Sequence, residues 1–190
     1  MTRRARSKRA AFTLIEVMMA IAILTVGSVG ILAMQQASTR GNMNARQMTT
    51  ATSVTRNWIE RIRRDALNWR NNQAGGTAGT TYLQNVPSDW AAPLDGVNGE
   101  RVGADWFGRD AVAPNQRYCT HIRLQWVVQN SVARADVRTF WYKRSTGDGS
   151  ENLFPNCGAA GGEAAVTAEL AALNPRVHVV HASTLVRWRQ

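Results

Sequence analysis

A carboxylate embedded in an apolar run poses the first chemical question. Residues Phe12 to Met34 read FTLIEVMMAIAILTVGSVGILAM, and the only charged residue among them is Glu16. A charge in the hydrocarbon of a bilayer costs about 2.5–3.5 kcal/mol at the centre and less toward the edge, so a plain anchor has no use for it. Few other residues are placed to do chemistry. His178 and His181 form H-x-x-H. In a Val-rich strand that odd spacing sends the rings to opposite faces, and no third ligand lies nearby, so no metal is expected. His121 reads as a polar strand residue. Arg56, Arg61, Arg63, Arg64 and Arg70 crowd one stretch, where Glu60 and Asp65 supply i, i+4 partners. That favours a solvated or intersubunit helix face over direct nucleic-acid binding. No Ser–His–Asp set, paired-carboxylate cleft or phosphate loop is evident. The chain reads as a non-enzyme that needs no cofactor.

The elements that position Glu16 follow from hydropathy and charge. A bilayer core needs roughly 20 apolar residues of helix, and Phe12–Met34 meets that length. Before it lies MTRRARSKRAA, with Arg3, Arg4, Arg6, Lys8 and Arg9 and no acid. Such a flank holds its end of the helix on the cytoplasmic side. The formal net charge is +10, and +5 without residues 1–11, so half of the basic excess is a topology signal. A secretory signal has a shorter apolar core, typically about 7–15 residues, and does not explain FTLIE at the start of the run.

At these residues a resemblance enters. Ala11-Phe12-Thr13-Leu14-Ile15-Glu16-Val17 resembles the processing site of type IV prepilins and the related pseudopilins. The stretch Ile23–Gln36, with Gly27, Gly30 and then glutamine, and the segment Trp58-Ile59-Glu60-Arg61-Ile62-Arg63 are similar to the PilV-type minor pilins. These matches cover the first 70 or so residues; beyond them the likeness is one of architecture. The family usually has Gly before the cut, where this chain has the still small Ala11. Many major pilins carry a proline late in the apolar stretch, and none occurs here.

The resemblance implies a cleaved leader, residues 1–11, cut between Ala11 and Phe12 by the prepilin peptidase, and N-methylation of Phe12. It implies that Glu16 governs filament assembly by meeting a neighbour's Phe12 amine. It also implies an α+β pilin-like fold: a long N-terminal helix packed on a small antiparallel sheet. The expected partners are other minor and major pilins and the inner-membrane assembly platform. The expected place is the inner membrane, with a periplasmic head, and then the pilus. The rival within the class is a minor pseudopilin of a type II secretion system. Outside it stand an unprocessed anchored binding protein and an anchored periplasmic enzyme.

The remainder is read from pattern. Residues 35–69 continue in helical period, with Met48, Ala51, Thr55, Trp58, Ile62, Ala66 and Trp69 on one face. One helix is therefore expected from Phe12 to Trp69, its lipid half at 12–34 and its amphipathic half at 35–69. The head takes 70–190. Its first part, 70–116, is rich in Gly, Asn, Asp and Pro and reads as a long connection, pinned to the sheet by Trp90, Trp106 and Phe107. Strands are expected at Tyr118–Val128, where Tyr118, Ile122, Leu124, Trp126 and Val128 alternate with Cys119, His121, Arg123 and Gln125, then at Ala135–Arg144 and Val177–Arg189. A Gln129–Arg134 turn joins the first two, and a short helix is expected at Glu163–Leu173. Cys119 and Cys157 both follow the apolar stretch. If that part lies outside the cytoplasm, a bridge between them is the expectation, and two buried thiols are the alternative.

Overall fold

The computed structural model describes residues 13–69, 79–86, 88–94, 102–112, 115–142, 172 and 177–187. Helix α1 spans Leu14–Asp65, 52 residues. Its start is a local sequence effect. Thr13 stands just outside the helix, and its carbonyl accepts the amides of Glu16 and Val17 at 3.1 and 3.3 Å. Its hydroxyl faces the Glu16 amide at 3.4 Å. Thr three residues before Glu is a capping pattern that satisfies amides left open at a helix start. At the far end the helix tightens into a 3-10 turn, Ala66–Asn68, and Trp69 is extended. The expected helix to Trp69 thus ends in a different geometry, as last turns commonly do.

The chain divides into two compact units, Met1–Arg46 and Gln47–Gln190. In the first, every described residue is exposed apart from the half-buried Met43. Leu14, Ile23, Leu24, Val26 and Met34 stand among the most open apolar side chains of the molecule.

The second unit holds the core. Three strands form an antiparallel sheet in the order β3-β4-β5, with β3 Cys119–Val128, β4 Val132–Tyr142 and β5 Val177–Arg187. The β3–β4 register runs from Cys119↔Phe140 to Val128↔Val132, with a bulge between Trp126 and Val128. β4 starts three residues earlier than the pattern suggests because the turn is short. Asn130 adopts φ 58, a left-handed conformation that Asn tolerates, and Ser131 closes on the Val128 carbonyl at 3.0 Å. β5 matches β4 residue for residue from Val132↔Arg187 to Tyr142↔Val177.

Against one face of this sheet lies the end of α1. Ala51, Val54, Trp58, Ile59 and Ile62 join Ile122, Leu124, Ala133, Ala135, Val137 and Val186 in one buried cluster. Burying a side chain of this size stabilises by about 1.5–3 kcal/mol. Hydroxyls fix the register: Thr55 Oγ1 lies 2.8 Å from Thr139 Oγ1, which lies 3.2 Å from Thr120 Oγ1. Arg63 Nε donates to Thr184 Oγ1 at 3.0 Å. The expected helix face is buried except for Met48, 58 % exposed; Gln47, Val54 and Ile59 fill that face instead.

Two expectations need correction. β3 is not half-buried at its start: Cys119, Thr120, His121 and Ile122 are all buried. Chain packs on its outer face too, where Trp90 meets Arg123, Arg138 and His181. The 70–116 connection is also more structured than its composition implied. It holds a 3-10 turn, Leu83–Asn85, and a small hairpin of β1 Gly103–Ala104 with β2 Asp110–Ala111. Single bridges tie it to β3 at Ala91↔Ile122 and Ala104↔Tyr118. Trp90 is a pin, buried at 5 %, whereas Trp106 and Phe107 are not, exposed at 41 % and 69 %. The helix expected at Glu163–Leu173 lies outside the described residues, apart from position 172. Helix, sheet order and sheet pairing together make an α+β, pilin-like architecture.

Candidate functional site

Glu16 occupies the first turn of α1. It shares an open helix face with Val17, Ala20, Ile21 and Leu24, positions that recur every three or four residues. Among the described residues no cation pairs with its carboxylate. The arrangement is an acid at the lip of an apolar surface. It is stable in water but costly once that surface enters lipid or another apolar body, unless a cation joins it there. Among the described residues one helix, Leu14–Asn68 including the 3-10 turn, is long and apolar enough to cross a membrane, with a mean hydropathy of 2.4 over its best window, none of it buried. Gly27 and Gly30, singled out for close helix approach, have nothing within 4 Å of a Cβ position among the described residues. Ala11 and Phe12, the residues of the expected cut, lie outside the described residues.

Cys119 opens β3 at 0 % exposure, and its Sγ is 3.4 Å from His121 Nε2. Its expected partner, Cys157, lies outside the described residues. His121 lies in β3, as expected of a polar strand residue, and is buried against the Phe140 ring, 4.8 Å between centroids. His178 and His181 point to opposite faces, as their spacing requires, His178 stacking on Trp141 and His181 meeting Trp90. Among the described residues no three acids, histidines or cysteines converge on one point.

Two arginines near the end of α1 find partners within the molecule. Arg61 Nη1 pairs with Asp110 Oδ2 at 2.7 Å, and Arg63 pairs with Glu60 at 3.2 Å besides reaching Thr184. Asp65, expected as a helix-surface partner of these arginines, has another role. Its buried carboxylate accepts the amides of Thr81, Tyr82 and Leu83 at 2.7, 2.6 and 2.8 Å. That clamp seats Leu83 in the core and sets the Tyr82 ring edge-on to Trp58. Sequence reasoning missed it because three consecutive amides carry no side-chain signature.

On the outer sheet face Asp136 binds Arg123 at 3.0 Å, Arg134 at 3.1 Å and Ser183 at 2.7 Å. Burial works to raise its carboxyl, but the Ser183 hydroxyl and the two guanidinium groups outweigh it and hold the carboxyl below the usual range. His181, one strand away and exposed at the sheet face, is pushed down by partial desolvation and then by the Arg138 charge, with Asp136 opposing. Desolvation thus favours the neutral ring.

No curated protein and no solved structure matches this chain. Residues 6–32 match the family model of the prokaryotic N-terminal methylation motif. That stretch carries Arg6, Lys8 and Arg9 of the basic flank, Glu16 and most of the open apolar helix, so this N-terminus is similar to those of prepilin-like proteins, the type IV pilins and pseudopilins.

Proposed function

We propose that this chain is the precursor of a minor pilin of PilV type. On this reading the prepilin peptidase cuts between Ala11 and Phe12 on the cytoplasmic face, and Phe12 is then N-methylated. The head lies in the periplasm, where Cys119 and Cys157 form a bridge that ties β3 to a late loop. The mature chain leaves the inner membrane through the assembly platform and enters a type IV pilus, or primes its assembly beside other minor and major pilins. It thereby supports motility, adhesion or DNA uptake. It acts as a subunit and not as an enzyme.

The observation that carries this reading is the pairing of an unshielded apolar helix with a carboxylate in its first turn. In a bundle of such helices a neighbour's terminal amine supplies the missing cation. The contact would be desolvated, strongly attractive and selective for register. Intact-mass and N-terminal analysis of the protein from pilus-forming cells tests the processing step: a mature chain beginning at methylated Phe12 is expected, and a retained leader sinks the proposal. Glu16→Ala should leave a folded, membrane-held protein that no longer enters filaments; normal incorporation would refute the assembly role. Co-purification with secretion components rather than pilus components would transfer the reading to a type II pseudopilin.

A further inference from the structure

The β1–β2 hairpin carries a feature that subunit packing through the helix does not use. Its turn, Asp105–Arg109, places two large rings in open solvent side by side, Trp106 and Phe107. The turn is rigid. Asp105 Oδ1 accepts the amides of Phe107 and Arg109 at 2.8 and 2.9 Å, Asp105 Oδ2 accepts Arg109 Nε at 3.1 Å, and the Asp105 amide donates to the Arg109 carbonyl at 2.9 Å. Gly108 has φ +78, and a Cβ there would sit 3.2 Å from methyls of Thr50 and Val54. The turn is therefore pressed against α1 and has little freedom to fold its rings inward.

Each exposed ring has a guanidinium over one face. Arg117 lies 4.7 Å from the Trp106 centroid, and Arg109 lies 5.0 Å from that of Phe107. A third stack, Arg61 over Trp58 at 4.6 Å, adjoins through the Arg61–Asp110 ion pair. Such contacts occur roughly once per 70–80 residues in proteins, so two on the hairpin's adjacent rings and a third on the helix beside it are a local concentration. The two hairpin acids are both held by arginines, Asp105 by Arg109 and Asp110 by Arg61. The surface thus offers flat apolar faces interleaved with fixed positive groups, on a chain whose formal net charge is +5 without residues 1–11.

We propose that the Trp106–Phe107 tip, with Arg109 and Arg117, binds single-stranded nucleic acid, its rings stacking on bases while the guanidinium groups meet phosphates. Planar rings beside cations are what an unpaired strand recognises: each base has a face to stack and each linkage a charge to neutralise. An acidic peptide matches the charge but has no planar group for the rings. This surface is distinct from the α1 arginines for which a solvated or intersubunit face was expected; of those, Arg61 and Arg63 are held by Asp110 and Glu60.

The test uses the full chain in detergent micelles and a labelled oligothymidylate of about 20 nucleotides, read by fluorescence anisotropy. It requires no filament, so its outcome is separate from that of the assembly proposal. Trp106→Ala and Phe107→Ala should each weaken binding by about thirtyfold, the middle of the range for a lost stacking partner. Their thermal unfolding should match that of the parent chain, because both rings are exposed. Arg109→Gln should also weaken binding and reduce its salt dependence, which for two phosphate contacts has a logarithmic slope of about −1.4. Absence of binding, ring variants within twofold of the parent, or equal competition by polyglutamate would each overturn the proposal.

Discussion

Two stretches of one helix obey opposite rules. Residues 14–34 are apolar on every side and exposed on every side, whereas residues 47–65 bury one face and wet the other. Both are helical, and both draw on the same local preferences. The difference lies in where the partner is. Ile62 and Trp58 find sheet residues of their own chain. Leu24 and Val26 have no such cover among the described residues, and an apolar body such as lipid would have to supply it. A helix that is apolar all round is the mark of a buried or membrane segment. The lesson is that one stretch is covered by its own chain and the other is left open, so the two can be damaged separately.

Substitutions can break that separation if it is wrong. The largest effect on folding is expected from Trp58→Ala, which should destabilise the head by about 3–5 kcal/mol. Denaturant unfolding measures this, while membrane fractionation should remain unchanged. Leu24→Arg is the mirror case. It should add about 2.5–3.5 kcal/mol to membrane insertion yet leave head unfolding within about 0.5 kcal/mol of the parent. If it destabilises the head as much as Trp58→Ala does, the division between the stretches fails.

A smaller effect is expected at the clamp that closes the folding half. Asp65→Asn weakens three bonds to backbone amides, and hydrogen bonds to a charged group contribute about 1.5–3 kcal/mol each at most. A loss near the lower end of that range is expected, with hydrogen exchange faster at Thr81, Tyr82 and Leu83 than elsewhere. The smallest effect is a pH slope confined to the head. His181 has a folded-state pKa below its ordinary 6.5, so its contribution is complete above pH 6.5 and declines as pH falls toward the folded value. Asp136, depressed from 3.8, contributes above pH 3.8 and loses that contribution as pH falls through its folded value. Unfolding midpoints between pH 7 and about pH 5 should fall less in His181→Asn than in the parent. An unchanged slope would remove His181 from the account.

The fold was largely legible before any coordinates. The β3 and β5 strands appeared in their periodicity to within two residues, and the sheet-facing stripe of α1 was visible from Ala51 to Trp69. Glu16 was legible because a carboxylate in grease has no bland explanation. The misreadings share one cause. His121, Asp65 and the Trp106–Phe107 pair were judged by their residue types, while their surroundings come from segments distant in sequence. Polar His121 is buried because Phe140 and other chain cover its strand face. Aromatic Trp106 and Phe107 are open because Asp105 fixes a turn that points away from the core.

Periodicity, hydropathy and short motifs depend on neighbours within a few residues, so the primary chain alone was enough to place the apolar helix, its basic flank, its acid and the strands. Which amide an acid would hold, which face of the sheet would be covered twice and which rings would stay wet are contacts across tens of residues. Those were decided only when α1, the hairpin and the sheet closed on one another, because burial and hydrogen-bond satisfaction are properties of the packed chain and not of any segment within it.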